Sequence, residues 1–490
     1  MSEKQIIAVA NGDGIGPEIM KAVINIFEAA QVPLHYEYVD MGKSIFDKGY
    51  GAGMTEDARA TIEKLGVLFK GPMETPKGKG VKSINVTARK LWNTYANVRK
   101  FKTLEGVNTV FSKAGIPIDI TIVRENIEDT YGGIEYLPAY DMALGLRLVS
   151  RGGSEQFMRF VFETARRQGT DHVTCAHKAN IMKLTDGMFL NTFYEIAKEY
   201  PDIKTDDVII DDLCMKLVRW PDRFKMIAAT NLQGDIISDL CAGLVGGLGF
   251  APGANIGDNI SIFEAVHGTA PDIAGKNIAN PTSLLLSGLY MLRFLGLAAQ
   301  ADQVENSLYY TLEQGIHTGD FGEPGSASEN TEGFAQAIIN NLGSKPERTE
   351  PVHTVKTNKK MFSAPRLPEK QIVLQTSRNP QAQVRGIDIG CETQQQPEEI
   401  ANVVLKELPP KFKLTFVSNR GTIVWPTASK FTELVGYARL RIEVKDENVQ
   451  TTEKELLELS VRLSEKIVIG HVFILKYFDG ERGFSLAQGQ

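Results

Sequence analysis

The first thirty residues already restrict the fold. Gln5–Ala10 reads as a short buried strand, Gly12-Asp13-Gly14-Ile15-Gly16-Pro17 as a glycine turn, and Pro17 to Gln31 as a helix with proline at its first position. Ile19, Val23, Ile26, Phe27 and Ala30 share one face of that helix. The same order recurs: a strand at His172–His177 before a helix over Ile181–Phe193, and a strand at Met226–Thr230 before a helix from Asp235. Strands alternating with helices build an α/β domain. The glycines are spaced G-x-G-x-G-P and not G-x-G-x-x-G, so the Rossmann fingerprint does not apply, and alone the cluster reads as a tight turn.

The pattern changes near residue 343. Ser344–Gln383 is polar, carries five prolines, and reads as a linker or extended arm; Lys356–Lys360 within it reads as solvated surface. Beyond it come a strand at Val384–Ile389, a helix at Pro397–Leu408, strands at Lys413–Ser418, Thr422–Trp425 and Ala438–Val444, a helix at Thr451–Lys466 and a strand at His471–Tyr477. That order is a split βαβ, ferredoxin-like α+β sandwich with one extra strand. At roughly 150 residues per domain, 490 residues leave room for about three domains.

Composition excludes several classes. Fifty-four basic against 60 acidic residues give a net charge of −6, which disfavours holding nucleic acid by charge. Apolar residues at 42% exclude wholesale disorder. Cys175, Cys214, Cys241 and Cys391 form no C-x-x-C pair and read as reduced, mostly buried thiols. The N-terminus has no leader pattern. Ser283–Ala299, interrupted by Arg293, is too short for a membrane span and reads as a buried helix suited to a subunit interface. A cytoplasmic protein with no membrane or nucleic-acid partner is the expectation.

Several segments could carry chemistry. Asp235 and Asp239, at i and i+4, share a helix face and offer hard oxygen ligands for magnesium or manganese, with Asp211 or Asp212 as a third; the plain alternative is acidic residues at a helix start. Arg89, in Ser83-Ile-Asn85-Val-Thr-Ala-Arg89, joins Arg99 and Arg124 as planar forks suited to a polyacidic ligand, although surface arginines are common. Three further motifs are Arg124-Glu-Asn-Ile-Glu-Asp-Thr-Tyr131-Gly-Gly, His177-Lys178-Ala-Asn180, and Glu264-Ala-Val-His267-Gly268-Thr-Ala270-Pro-Asp272-Ile273 running on to Asn280-Pro281.

Taken together and in this order, the six motifs resemble the metal-dependent β-decarboxylating dehydrogenases, which include isocitrate and 3-isopropylmalate dehydrogenase. The resemblance covers about residues 5–343. Residues 384–490 resemble a domain appended in longer isocitrate dehydrogenases, through Ser418-Asn-Arg-Gly-Thr422 and the closing Phe478-Asp-Gly segment.

The resemblance implies a two-domain catalytic core that is not Rossmann. Residues 1–96 and 247–343 would form the large domain and 97–246 a small domain with the dimer-forming segment, followed by an arm over 344–383 and the C-terminal domain over 384–490. It implies that Arg89, Arg99 and Arg124 clamp the carboxylates of a malate core, that Tyr131 protonates the enol, and that Lys178 and Asp211, with Asn180 beside them, serve the reacting hydroxyl. Asp211, Asp235 and Asp239 would bind metal, the 24-residue step to Asp235 selecting Asp211 over Asp212. Lys178 and Asp211 would enter from a partner subunit, making a homo-oligomer a condition of activity.

Ser83 and Asn85 match the isocitrate pattern; against an isopropyl group they would stay unpaired at roughly 1–3 kcal/mol each. Isocitrate is therefore the expected substrate and homoisocitrate its nearest competitor. Ile15, Thr75, Glu264, His267, Gly268, Ala270, Asp272, Ile273 and Asn280 would line the cofactor. Asp272-Ile273 stands where NADP users place Lys-Tyr, and no arginine or lysine lies between Arg293 and Lys345, so NAD is expected. A noncatalytic regulatory subunit is the competing reading. It would favour loss of Tyr131, Lys178 or a metal aspartate, and all are present. The C-terminal domain shows no ligand signature, which favours interaction or structural support.

Overall fold

The computed structural model describes residues 4–74, 83–321, 328–353, 381–427, 432–446 and 448–485. They group into two compact units: Met1–Tyr131 with Val149–Ile181 and Asp186–Pro368, and Gly132–Leu148 with Met182–Thr185 and Glu369–Gln490.

The first unit is built on a ten-stranded sheet. In spatial order its strands are Leu34–Tyr38, Gln5–Ala10, Val67–Lys70, Ser261–Ala265, Pro252–Ile256, Ala96–Lys102, Asp119–Glu125, Met226–Ala229, His172–His177 and Lys204–Ile209. The first four run parallel and the last four run parallel. Three antiparallel pairings in the middle reverse direction between the two wings. This is not the Rossmann strand order. The expected boundary between large and small domains falls inside this continuous sheet, between Pro252–Ile256 and Ala96–Lys102.

The opening strand and helix lie where the sequence places them, at Gln5–Ala10 and Gly16–Ala29. Two expectations change. The helix after Met226–Ala229 starts at Asn231, not Asp235, so both aspartates sit beyond the first turn and are not helix-start acids. The apolar segment from Ser283 forms the helix Thr282–Phe294, buried within its own chain, where Gly288 lies against Phe27 and Phe69. Its burial needs no subunit interface. Arg293 is buried there because Asp302 and Glu305 pair with it, at 2.8 and 2.6 Å.

The expected arm also changes at its start. The backbone N–H groups of Glu347, Arg348 and Thr349 donate to the Glu313 carboxylate, and Asn306 bonds Val352 through both amide ends. Residues 344–353 are thus held on the first unit. The rest of the arm, including Lys356–Lys360, lies outside the described residues except for 381–383.

The second unit carries a six-stranded sheet in the order Thr422–Trp425, Phe412–Asn419, Tyr437–Val444, Ala382–Glu392, Val468–Phe478, Glu481–Arg482. The middle four form the ferredoxin-like arrangement, with Pro397–Glu407 and Glu453–Ser464 as its helices. Ile387, Ile389, Leu440, Ile442, Leu456 and Leu459 belong to one core. The Asn419-Arg420-Gly421 turn has positive φ at Arg420 and Gly421, as a tight hairpin requires. Residues 132–148 of a β-hairpin, expected with the small domain, group here instead: Gly470 leaves so little room that a Cβ would lie 2.2 Å from the Pro138 carbonyl oxygen.

All four cysteines are free thiols, Cys214 part-exposed and the others buried. Among the described residues no helix is long and apolar enough to cross a membrane.

Candidate active site

The helix Asn231–Val245 organises the site. Three consecutive residues of its first turn each hold a different segment. Asn231 Oδ1 accepts from Arg124 Nε and Nη2 at 3.0 and 2.8 Å. The Leu232 N–H donates to Asp129 Oδ2 at 2.9 Å. Gln233 Nε2 donates to Asp186 Oδ2 at 2.9 Å, and that carboxylate oxygen also accepts the Lys178 N–H at 2.6 Å. Gly234 is needed because Arg124 lies across the helix: a Cβ there would meet Arg124 Cγ at 2.7 Å.

One turn on, Asp235 accepts from Arg124 Nη1 through Oδ1 and from the Tyr131 hydroxyl through Oδ2, the latter at 2.5 Å. Arg99 stands 3.6 Å from Asp235 and 3.9 Å from Asp239, and is fixed by Asn97 at 2.8 Å and Ser238 at 2.6 Å. Arg89 comes from the helix Ile84–Leu91, with Asn85 one turn before it and Ser83 at the helix N-cap. Arg89 Nη2 pairs with Glu264 Oε1 at 2.8 Å. Among the described residues, the buried Arg89 Nε and Asn85 Oδ1 have no hydrogen-bond partner. The structure therefore gathers Arg89, Arg99, Arg124, Tyr131, Asp235 and Asp239, which are scattered over about 150 residues of sequence.

The electrostatics follow from that crowding. Burial, with the neighbouring Arg124 and Arg89 cations, pushes the Arg99 guanidinium down to about 9. Burial opposes ionisation of Asp235, yet Arg124, the Tyr131 hydroxyl, Arg99 and Arg89 together hold its carboxyl below the usual range. Asp239 is raised by burial, with Arg99 opposing. Burial and the bond to Asp235 raise Tyr131, so it keeps its proton at neutral pH. Lys70, Arg89, Arg99 and Arg124 meet Asp235, Asp239 and Glu264, four cations against three carboxylates, an excess of one that an anionic ligand would offset.

Lys178 and Asp211 form a separate ion pair, and the ammonium holds the Asp211 carboxyl below its ordinary value. Asn180, beside them, is exposed. Among the described residues no three acidic, His or Cys side chains converge on one point, so Asp211 does not join Asp235 and Asp239 within one chain. The two helix carboxylates fit a hard divalent cation, and one more oxygen ligand from outside would extend the set.

For the expected cofactor residues, the Ile15 N–H donates to the Thr269 carbonyl at 2.9 Å, joining the glycine turn to the His267–Ile273 segment. Gly14 permits this approach, since a Cβ would lie 2.0 Å from that carbonyl oxygen. His267 Nδ1 donates to the Gly268 carbonyl at 2.9 Å, leaving Nε2 buried with a lone pair and no partner, a position a ligand donor fits. Ala270 has φ +38°, and Asp272 is exposed and Ile273 half-buried beside it. Asn280 bonds Asp320 at 3.1 Å and the Thr282 N–H at 2.9 Å. Thr75 lies outside the described residues. Glu264 is buried, and its oxygens meet Lys70, Arg89 and Asn255. Burial opposes its ionisation, but Lys70 and Arg89 hold the carboxyl far below its ordinary value.

Sequence reasoning missed Asn97, Asn231, Ser238, Asp129 and Asp186. Asn231 and Asp129 lie inside or beside the motifs singled out above. Asn97, Ser238 and Asp186 carry no local signal.

Comparison with known proteins places these residues in a family. The model of "Isocitrate/isopropylmalate dehydrogenase" matches residues 6–338, and that of "Bacterial isocitrate dehydrogenase, C-terminal domain" matches 382–490. An isocitrate dehydrogenase [NADP] of Thermus thermophilus is 43% identical over 490 residues, covering 99% of this chain and 96% of that protein. A mitochondrial isocitrate dehydrogenase [NAD] catalytic subunit of Arabidopsis thaliana is 44% identical over 333 residues, covering 68% and 87%. A crystal structure of a Thermus thermophilus protein superposes with a TM-score of 0.91 at 43% identity, covering 99% of this chain and 96% of that one.

Proposed function

The chain belongs to the isocitrate/isopropylmalate dehydrogenase family, and from that premise we propose that it oxidatively decarboxylates isocitrate to 2-oxoglutarate and carbon dioxide. The observation that carries this reading is the convergence of buried Arg99 and Arg124 on Asp235 with part-buried Arg89 close by, whose Nε has no partner among the described residues. Three guanidinium forks brought to one site fit a ligand with several carboxylates. The Ser83 hydroxyl and the Asn85 NH2 group are donors suited to a third carboxylate and not to an isopropyl group.

When bound, a divalent cation held by Asp235, Asp239 and Asp211 supplies polarisation of the substrate oxygens, and a nicotinamide supplies the hydride acceptor. In this reading Lys178 and Asp211, brought in by a partner copy, would take the hydroxyl proton. Arg99 and Arg124 fix the core carboxylates so that the scissile carboxylate stays oriented. Tyr131, protonated and oriented by Asp235, donates its proton to the carbon that loses carbon dioxide.

This reading includes a homodimer. Met215 and Val218, downstream of Asp211, and Leu232 and Ile236, flanking Asp235, are exposed apolar side chains on helices that pack together. Pairing that face with a second copy would bury it and bring the partner's Lys178–Asp211 pair toward Asp235 and Asp239. For the cofactor the reading is NAD. Asp272-Ile273 and the lack of Lys or Arg between Arg293 and Lys345 support it, whereas the full-length relative is named for NADP. A cytoplasmic location goes with the reading.

The test is a substrate panel of isocitrate, homoisocitrate and 3-isopropylmalate with manganese and either cofactor. Turnover of isocitrate with NAD is expected. A higher kcat/KM for NADP overturns the cofactor assignment, and inactivity with isocitrate overturns the reaction. Asp272→Lys with Ile273→Tyr should raise NADP use.

A further inference from the structure

We propose that Asp129 is a positioning residue that ties the Tyr131 strand to the helix bearing Asp235 and Asp239. The proposal rests on the reaction assigned above. Asp129 opens the strand Asp129–Ala139, two residues before Tyr131, and is 1% exposed. Its φ of +65° lies in the left-handed region, which aspartate adopts only at a cost of order 1–3 kcal/mol unless held there.

The holding contacts are specific. Asp129 Oδ1 accepts the Thr130 N–H at 2.8 Å and Oδ2 accepts the Leu232 N–H at 2.9 Å. Leu232 is the second residue of the helix Asn231–Val245, so its N–H is one of the donors that the helix itself leaves unsatisfied. Asp129, about 100 residues away in sequence, therefore caps this helix from outside, with a carboxylate at its positive end. Asn231 Nδ2 also reaches the neighbouring Glu128 carbonyl, at 3.4 Å. One short link thus joins the segment that carries the acid to the turn that precedes the carboxylate orienting it.

Three substitutions separate the cap from the strain. Asp129→Asn tolerates φ +65° and keeps one acceptor, its amide oxygen, for the Leu232 N–H, giving up the contact to Thr130. Asp129→Gly keeps the backbone conformation and loses the acceptor. Asp129→Ala loses both. With isocitrate, Asp129→Asn should stay within about threefold of the parent in kcat, while Asp129→Gly should lose about tenfold or more with a smaller change in KM. The decisive measurement is a double-mutant cycle with Tyr131→Phe. If Asp129 acts through Tyr131, Asp129→Gly costs less than about twofold in the Tyr131→Phe background.

Equal losses in both backgrounds, or full activity of Asp129→Gly, overturn the proposal. Hydrogen exchange at the Leu232 amide gives a readout independent of turnover: faster in Asp129→Gly and unchanged in Asp129→Asn. Unchanged exchange in Asp129→Gly also overturns it. If the parent protein turns over none of the substrate panel, the assigned reaction and the positioning role fall together. If the parent is active and the cycle is additive, only the positioning role falls.

Discussion

Each unit buries an arginine against an aspartate, and the two pairs differ in what surrounds them. In the C-terminal unit, Arg441 meets Asp388 through two bonds of 2.8 and 2.6 Å, donates a third to the Ser485 carbonyl at 2.7 Å, and lies against the Phe416 and Phe484 rings, with Arg439 a second cation 3.8 Å from Asp388. In the catalytic unit, Arg89, Arg99, Arg124 and Lys70 share three carboxylates, Asp235, Asp239 and Glu264. A closed pair holds a fold together. A cluster that leaves a buried donor, Arg89 Nε, without a partner among the described residues has capacity left for a ligand.

The largest expected effect tests that contrast directly. Arg124→Met should lower kcat/KM for isocitrate about 10³-fold, or about 4 kcal/mol, with little change in the thermal midpoint because Asp235 can hydrate. A loss under about tenfold would make Arg124 structural, like Arg441. The complement is Asp388→Ala, which strands Arg441 and should destabilise the C-terminal unit by about 3–5 kcal/mol in urea unfolding while leaving the KM for isocitrate within about twofold. A large change in KM there would erase the distinction.

A smaller effect concerns pH. Glu264 is depressed from its ordinary 4.5, so its stabilisation is complete above about that pH. As pH falls below it, the unfolded chain takes up a proton that the folded carboxylate does not, and stability declines. Glu264→Gln should flatten the acid limb of the thermal midpoint between about pH 5 and 3; an unchanged slope would show that Lys70 and Arg89 do not depend on that charge.

The smallest effect is kinetic. Burial pushes the Cys241 and Cys391 thiols up to about 12, one in each unit, whereas Cys214 is only part-buried. Alkylation should reach Cys214 first, and the rates at Cys241 and Cys391 then report which unit opens more readily. Fast labelling of Cys391 beside slow labelling of Cys241 would rank the closed pair as the weaker fold.

Local pattern made much of the fold legible. The strands Gln5–Ala10 and Thr422–Trp425 and the order of the C-terminal elements follow from alternation, proline and glycine punctuation, and apolar spacing. The reversal at the centre of the large sheet did not, because it depends on pairing Pro252–Ile256 with Ala96–Lys102, about 150 residues apart. The grouping of 132–148 with the C-terminal unit is equally non-local. At the site, arginines and aspartates are visible as types. Whether Asp235 and Asp239 are helix-start acids or site carboxylates depended on a boundary four residues away, set by Asn231. The buried ion pairing of Glu264 was not legible, because its partner Lys70 lies about 190 residues away in the chain.

The first turn of the Asn231–Val245 helix has a consequence for how this chain can change over time. Asn231, Leu232 and Gln233 each grip a different segment, and successive helix residues point about 100° apart. Inserting or deleting one residue there would rotate all three grips, and both carboxylates beyond them, away from their partners together. Descendants of this sequence can vary that turn by substitution, but not by length.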